Sequence, residues 1–138
     1  MDAHIIDLPK HLDDRGNLSY IENVTHLPFT IRRVYWIYDV PGGEARGGHA
    51  YRNTEEFIVA LSGSFDVVVD DGHGPKVFNL NRSYYGLYVP KGVWREIRNF
   101  STNSVALEFA STDYDPADYI RNYDAFLEYV NNKKTGGQ

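Results

Sequence analysis

The sequence contains no cysteine among its 138 residues. This absence excludes disulfide bonds, thiolate metal ligands and cysteine nucleophiles. It fits a reducing compartment, and we expect a cytoplasmic protein. No apolar run approaches the roughly 18 residues that a membrane-spanning helix needs, and the N-terminal residues lack the pattern of a signal peptide. We therefore expect no membrane partner.

Positive charge is also scarce. The chain has 14 Lys and Arg against 19 Asp and Glu, which gives a formal net charge of −5. A negative chain is repelled by the phosphate backbone, so we expect no nucleic-acid partner. No linker or internal repeat divides the sequence, and its length predicts one domain spanning residues 1–138.

Most of the chain consists of short β-like runs separated by turn residues. Ser62-Gly63-Ser64, for example, lies between two apolar runs, as the turn of a hairpin would. Many short strands at this spacing predict an all-β fold built as an antiparallel sandwich or barrel. The predicted strands are His4–Leu8, Leu18–Glu22, Ile31–Val40, Glu56–Leu61, Phe65–Val69, Lys76–Leu80, Gly86–Val89, Trp94–Phe100 and Val105–Ser111.

The C-terminal part changes to a helical period. Asp115-Pro116 offers an N-cap followed by proline at the first helical position. Apolar residues then recur every three or four positions, and Lys133 and Lys134 place positive charge where a helix C-terminus favours it. The pattern predicts one α-helix over about residues 116–131, packed on the outside of the barrel.

Two spaced motifs carry the chemistry. Gly43, His49, Glu56 and Gly63 hold the spacing of the first cupin motif, with Tyr51 at the place of its second histidine. Pro90-Lys-Gly-Val-Trp-Arg95-Glu-Ile-Arg-Asn99 resembles the second cupin motif, with Arg95 at the place of its histidine. This pair of motifs is similar to the cupin family, and the resemblance implies a jelly-roll barrel.

The two substitutions predict that the site holds no metal and no other cofactor. The resemblance to metal-binding cupins implies a site of three histidines and one glutamate around a divalent ion. This chain keeps only His49 and Glu56 of those four ligands. Arg95 puts a permanent cation where a ligand belongs, and Tyr51 is a poor ligand in its neutral form. His49 and Tyr51 are two residues apart, and in an extended strand such residues face the same side. A histidine base beside a tyrosine hydroxyl suits proton transfer.

The resemblance extends from the motifs to nearly the whole chain. Five further stretches are similar to the bacterial dTDP-sugar 3,4-ketoisomerases: Ile31–Tyr35, Arg46–Ala50, Leu87–Pro90, Val93–Glu96 and Ala110–Asp124. This family resemblance implies a metal-free cupin homodimer. It also implies conversion of dTDP-4-keto-6-deoxyglucose into its 3-keto isomer through an enediol or enediolate.

The resemblance also implies roles for single residues. His49 falls on the first histidine of the family's proton-transfer pair and Tyr51 falls on the second, while Arg95 would hold the enolate oxygen. The implied catalytic residues are thus His49, Tyr51 and Arg95. The implied substrate-binding residues are Arg33 and Arg46 for the diphosphate, Tyr35 for the thymidine, and also Arg15 and Trp94.

Two other functions and one detail of the product stay open at this point. A dTDP-sugar 3,5-epimerase-like cupin would also use a histidine and a tyrosine. A non-catalytic module that binds sugar nucleotides is the other alternative, because Tyr51 replaces an expected catalytic histidine. For the product, Arg15 resembles the branch that gives the galacto configuration at C4, whereas Arg95 resembles the gluco branch.

Overall fold

The computed structural model describes residues 2–136. Strands dominate the fold, and a short 3-10 helix and one α-helix lie at its C-terminal end. The first six strands are β1 (His4–Asp7), β2 (Lys10–Asp13), β3 (Gly16–Ser19), β4 (Arg33–Ile37), β5 (Arg46–Tyr51) and β6 (Glu56–Ser62). The others are β7 (Phe65–Asp70), β8 (Pro75–Leu80), β9 (Tyr85–Val89), β10 (Trp94–Arg98), β11 (Val105–Ala110) and β12 (Tyr119–Ile120), followed by α1 (Tyr123–Gly136).

Two five-stranded antiparallel sheets form the body of the molecule. One has the strand order β1-β9-β6-β11-β4 and the other β12-β5-β10-β7-β8. The inward side chains alternate along the strands and form the main core between the sheets: Ile58, Ala60, Phe65, Val67, Val69, Leu80, Leu87, Val89, Ile97 and Ala106. This architecture, with a single C-terminal α-helix, confirms the predicted all-β jelly-roll barrel.

The start of the predicted helix is wrong. Residues Pro116–Asp118 form a 3-10 helix with Asp115 as its N-cap, so the capping signal belongs to this single turn. Tyr119 and Ile120 then pair with β5, because that strand leaves an edge that this segment can cover. The α-helix begins only at Tyr123, five residues after the end of the 3-10 turn at Asp118, whose sequence resembles a helix start.

The N-terminal region also differs from the prediction. β2 and β3 form a separate two-stranded hairpin, whereas the sequence predicted a single strand over Leu18–Glu22. All eight residues of this hairpin are exposed, so the apolar alternation that reveals a half-buried strand is missing. The predicted strand Ile31–Val40 is shorter in the structure and covers Arg33–Ile37.

Strand β4 lies at the edge of its sheet and has two distinct faces. Arg33, Tyr35 and Ile37 are partly buried, whereas Val34 and Trp36 between them are exposed.

Within residues 2–136, no helix is both long and apolar enough to span a bilayer.

Candidate active site

His49 lies on β5, facing the interior of the barrel. It pairs across the ladder with Arg95 of β10, so the two cupin-like motifs meet as their spacing predicted. Tyr51, two residues further along the same strand, pairs with Tyr119 of β12. Because alternate residues of a strand share a face, His49 and Tyr51 both point to the same side of β5.

The His49 ring is enclosed by aromatic side chains. Its centroid lies 4.7 Å from that of Tyr51 and 5.0 Å from that of Tyr119. The Nε2 atom is buried and has no hydrogen-bond partner among the residues that the structure describes. Burial, followed by the charge of Arg95, lowers the pKa of His49 to about 3. The imidazole is therefore neutral at physiological pH and has a free nitrogen that can accept a proton.

Three tyrosine hydroxyls form a chain beside His49. The Tyr51 hydroxyl lies 3.2 Å from the Tyr35 hydroxyl and 3.2 Å from the Tyr119 hydroxyl. At its inner end, the Tyr35 hydroxyl donates to Glu56 at 3.3 Å and accepts from Arg95 at 3.1 Å. Burial, with the charge of Glu56, raises the pKa of Tyr51, so this hydroxyl stays protonated.

A buried ion cluster centred on Arg95 supports the site from below. Its guanidinium donates to Glu56 at 2.7 Å and 3.1 Å and to Glu108 at 2.5 Å. It also donates to the Gly47 carbonyl at 3.2 Å. A Cβ atom at Gly47 would lie 2.6 Å from the guanidinium, and the residue has φ +72°, so glycine is needed here.

The two carboxylic acids of this cluster differ in protonation. Burial would raise the pKa of Glu56, but the charge and hydrogen bonds of Arg95 outweigh it and lower that pKa below its usual value. Burial raises the pKa of Glu108 to about 8, and the nearby Glu56 adds to this rise. At neutral pH, the charge of Arg95 is therefore balanced by the carboxylate of Glu56, and Glu108 is mainly protonated.

Two arginines place positive charge around the tyrosines. The Arg33 guanidinium carbon lies 5.5 Å from the ring centroid of Tyr35 and 5.6 Å from that of Tyr114. The buried Nε of Arg33 has no hydrogen-bond partner in the described part of the chain. The Arg121 guanidinium carbon lies 4.2 Å from the Tyr119 ring centroid. Both charges help to lower the pKa of His49, although less than burial and Arg95 do. The site thus offers two cations for an anionic ligand.

The structure brings His49, Tyr51, Arg95, Tyr35 and Arg33 together, as the sequence predicted. Arg95 and Tyr35 lie deeper than expected, because the Arg95 side chain is 2% exposed and the Tyr35 hydroxyl bonds to its ion cluster. Arg46 begins β5 and is exposed.

The structure does not place Trp94 or Arg15 in this cluster. Trp94 precedes Arg95 on β10 and therefore faces the opposite side, where its ring packs against Tyr123 and Phe126 of α1. Arg15 lies at the turn of the separate β2–β3 hairpin, where its 90% exposed side chain pairs with Asp13. These two positions do not support the expected contact with a substrate inside this barrel.

Sequence reasoning missed Tyr119, Arg121 and Glu108. The first two fell within the predicted helix, which hid their place next to β5. Glu108 is 0% exposed on β11, between Ala106 and Ala110, which are also buried. The available signal was a charged residue on the same strand face as two alanines, a face that the alternation predicts to be buried. Glu108 is buried there because Arg95 of the opposite sheet donates a hydrogen bond to it.

The donor set at the barrel centre does not resemble a metal site. Across residues 2–136, no group of three or more His, Cys, Asp or Glu side chains is arranged to hold a metal ion. Arg95 occupies the position between Glu56 and Glu108, and its guanidinium gives both carboxyl groups hydrogen-bond partners.

Comparisons with known proteins agree with this geometry. The model of the family described as FdtA: WxcM-like, C-terminal, matches residues 1–131. The TDP-4-oxo-6-deoxy-alpha-D-glucose-3,4-oxoisomerase of Aneurinibacillus thermoaerophilus is 42% identical over 130 residues, which cover 94% of each chain. The structure of a 3,4-ketoisomerase from Helicobacter canadensis is 41% identical, with a TM-score of 0.91, and covers 95% of this chain and 98% of its own.

A third relative is the sugar 3,4-ketoisomerase QdtA of Thermoanaerobacterium thermosaccharolyticum, solved in complex with TDP. It is 33% identical, with a TM-score of 0.92 and 96% coverage of both chains. A dTDP-4-dehydrorhamnose 3,5-epimerase from Bacillus anthracis, at 18% identity and a TM-score of 0.75, shares the fold alone. The matching family model and these relatives show that the chain belongs to the WxcM-like family of sugar 3,4-ketoisomerases.

Proposed function

We propose that this protein isomerises dTDP-4-keto-6-deoxyglucose to a dTDP-3-keto-6-deoxyhexose. The observation that carries the proposal is the buried, unpaired Nε2 of His49, which provides a neutral base in the barrel. The chain that carries it belongs to a family of sugar 3,4-ketoisomerases. The substrate follows from the relatives, one of which is named for TDP-4-oxo-6-deoxyglucose and another of which was solved with TDP.

The reaction needs one proton to move between neighbouring carbons. The ketone at C4 acidifies the hydrogen on C3, and His49 removes this hydrogen as a proton to leave an enediolate. A proton then passes from O3 to O4, the protonated imidazole delivers its own proton to C4, and the ketone is left at C3. Because the pKa of His49 is lowered to about 3, its protonated form is a strong acid that readily gives the proton back.

The cations at the site suit the diphosphate of the substrate. Within residues 2–136, neither Arg33 nor Arg121 pairs with a carboxylate, and both lie against the rings of the tyrosine cluster. Arg46 is exposed on the strand that carries His49. A guanidinium binds phosphate oxygens through charge-assisted hydrogen bonds. We assign Arg33 and Arg121 to the diphosphate, together with Arg46 as expected from the sequence.

Arg95 has a supporting role in this proposal. Its guanidinium is committed to Glu56, Glu108 and the Gly47 carbonyl. It therefore orders the carboxyl groups beneath the site, in place of the contact with the enolate oxygen that the sequence suggested. The same cation between the carboxyl groups favours a metal-independent reaction. Turnover that survives dialysis against a strong chelator is the expected result, and restoration by one added metal would contradict it.

The central test is proton NMR of the purified protein with dTDP-4-keto-6-deoxyglucose in heavy water. We expect exchange at C3 together with the appearance of the 3-keto isomer. Exchange at C5 without the 3-keto isomer would instead indicate an epimerase. Tight dTDP binding without exchange at any ring carbon would indicate a binding module. The C4 signals of the product would also decide between the galacto and gluco configurations.

A cytoplasmic homodimer completes the proposal. An apolar face on the outside of the β4–β11 sheet exposes large side chains, namely Val34, Trp36, Tyr38 and Leu61. Exposed apolar patches of this kind are typical of protein interfaces. We expect light scattering to give a dimer at micromolar concentration and Trp36→Glu to shift it towards monomer. A wild-type protein that is monomeric under these conditions would contradict this prediction.

A further inference from the structure

Two buried carboxyl groups share the guanidinium of Arg95. Glu56 alone already balances this cation, since two guanidinium nitrogens donate to its two carboxylate oxygens, at 2.7 Å and 3.1 Å. Glu108 adds a second carboxyl group, whose Oε1 accepts a hydrogen bond from Arg95 at 2.5 Å. Glu56 and Glu108 are 1% and 0% exposed. Because a buried carboxyl group without its own cation is costly, the presence of Glu108 needs an explanation.

The surroundings of Glu108 determine which of these groups changes its charge. The titratable and charged groups that face it are Arg95 from β10, Glu56 from β6 and Tyr35 from β4. Burial raises the pKa of Tyr35 and keeps its hydroxyl neutral. Burial alone would lower the pKa of Arg95, but the charges of Glu108 and Glu56 raise it well above its usual value. Arg95 therefore stays charged, and the lowered pKa of Glu56 keeps that group ionised.

Glu108 is the member of this cluster that titrates between neutral and moderately alkaline pH. Burial raises its pKa to about 8. Its Oε2 atom is buried and has no hydrogen-bond partner among residues 2–136, so no donor is present to stabilise a negative charge on that oxygen. The cluster is therefore neutral when Glu108 holds its proton, and it carries one net negative charge when Glu108 is ionised.

Arg95 connects Glu108 with the reaction site. The Nη2 atom that donates to Glu108 also donates to the Tyr35 hydroxyl at 3.1 Å, and this hydroxyl lies 3.2 Å from that of Tyr51. Arg95 also pairs with His49 across the ladder. Removal of the proton from C3 by His49 places negative charge on the sugar. An uncompensated charge on Glu108 would oppose this step, because charges interact strongly inside a protein.

We propose that Glu108 is a positioning residue that acts on the isomerase reaction through Arg95. The inference rests on the proposed isomerase function. With its proton, Glu108 accepts from Arg95 as a neutral group, and the enediolate forms beside a cluster without net charge. Without its proton, Glu108 competes with the enediolate for the positive charge of Arg95, and the reaction slows. Glu108 thereby sets the alkaline limit of turnover.

The test is the pH profile of kcat/KM in the wild type and in Glu108→Gln. For a pKa of about 8, the protonated fraction of Glu108 falls about tenfold from about pH 7 to about pH 9, and wild-type kcat/KM should fall by the same factor. Glutamine keeps an oxygen for Arg95 and has no proton to lose, so it resembles the protonated acid. The kcat/KM of Glu108→Gln should change less than about twofold over this range.

The profile of kcat adds a second signature. It reports the enzyme with substrate bound, whereas kcat/KM reports the free enzyme. A bound diphosphate disfavours a further negative charge nearby, so the wild-type kcat should fall at a higher pH than kcat/KM.

Glu55→Gln is the matched control. The Glu55 carboxylate accepts a hydrogen bond from the Tyr88 hydroxyl at 2.6 Å, outside the Arg95 cluster, and this variant should keep the wild-type pH profile. A purely structural role of Glu108 predicts a different result. Glu108→Gln would then lose the same fraction of activity at every pH, and the alkaline fall would remain.

A measurement on the wild type keeps the proposal testable if thermal unfolding shows that Glu108→Gln does not fold. In protein labelled with ¹³C at the glutamate carboxyl groups, one carboxyl signal should titrate with a midpoint of about pH 8. The fall in kcat/KM should share this midpoint.

Three results would each overturn the role of Glu108. These are a flat wild-type profile up to about pH 9, an equal alkaline fall in Glu108→Gln, and the absence of a carboxyl signal that titrates in this range. Each of them leaves isomerisation at neutral pH intact. A wild type that forms no 3-keto isomer at any pH would instead refute the proposed function, and the role of Glu108 with it.

Discussion

His49 combines burial with an unpaired nitrogen, and this combination defines its chemistry. A buried imidazole without a hydrogen-bonded carboxylate stays neutral, because the charge of Glu56 compensates only part of the cost of burial and of the nearby Arg95 charge. The two arginines add to this effect. A bound diphosphate would offset the charges of Arg33 and Arg121, and the pKa of His49 would then rise slightly, because burial and Arg95 cause most of its lowering. Substrate binding would thereby strengthen the base that acts on the substrate.

At this scale, we expect His49→Asn to reduce turnover at least about a hundredfold, the typical range for a general acid–base residue. Asparagine keeps a polar group of similar size but does not accept a proton near neutral pH. The affinity for dTDP, measured by calorimetry, should stay within a few-fold of wild type because the cations remain. Near wild-type isomerisation by this variant would show that another group carries the proton between carbons.

The segment from Asp115 to Ile120 is the element that completes the site. Its 3-10 turn delivers Tyr119 to the edge of β5, where it meets Tyr51. Asp118 holds the turn in place, since its buried carboxylate accepts hydrogen bonds from the backbone N–H of Asn53 at 2.6 Å and from the Thr54 hydroxyl. A single aspartate therefore connects the stability of this turn with the position of Tyr119.

Asp118→Ala should lower both stability and activity. Removing the carboxylate leaves the backbone N–H of Asn53 without its partner and takes one of two partners from the Thr54 hydroxyl, which still contacts Thr112, at a cost of about 1–3 kcal/mol in the free energy of unfolding. Turnover should fall as well, because Tyr119 loses its support. Denaturant unfolding and the isomerase assay measure the two effects. Asp113→Ala is the control, since it removes only an exposed pair with Arg32 and should change stability little. Equal stability of the two variants would contradict this account.

For the whole molecule, the ion cluster ties stability to pH. Glu108 has a pKa of about 8 in the folded protein against a usual value of 4.5, so the folded state holds a proton that the unfolded state releases. Its contribution is fully present below the usual value and is lost as the pH rises through the folded value. Over the upper part of this window, from about pH 6.5 to about pH 8, histidine in the unfolded chain is already mostly neutral.

The free energy of unfolding should therefore fall between these two pH values. Urea titrations at several pH values measure this slope. Glu108→Gln, which has no proton to lose, should flatten it, even if the variant is less stable overall. A slope that is equally steep in wild type and variant would assign the pH dependence to other groups.

How much the sequence could predict depends on whether a residue's role is local. Motif spacing predicted that His49 and Arg95 would meet, and the ladder pairs them directly. The same alternation placed His49 and Tyr51 on one face. These inferences need only the period of a strand and the order of the motifs, so they hold without knowledge of the tertiary structure.

The parts that failed depend on contacts between distant segments. Asp115-Pro116 has the local signature of a helix start, but pairing with β5 ends that helix after one turn. Glu108 gains its meaning only from Arg95, which is 13 residues away in sequence and lies on the other sheet. Trp94 looked like a binding residue in its motif, and only the position of α1 shows that it packs beneath the helix.

With the proposed subunit contact, strand β4 would make the catalytic rate depend on protein concentration. Arg33 and Tyr35 face the tyrosine cluster, whereas Val34 and Trp36 face outward on the apolar surface. Neighbouring residues of one edge strand thus serve the reaction and the proposed subunit contact. Dilution that separates the subunits would free this edge and loosen the two inward side chains along with it. Specific activity should then decline as the protein is diluted, and Trp36→Glu should lower it at concentrations where the wild type is fully active.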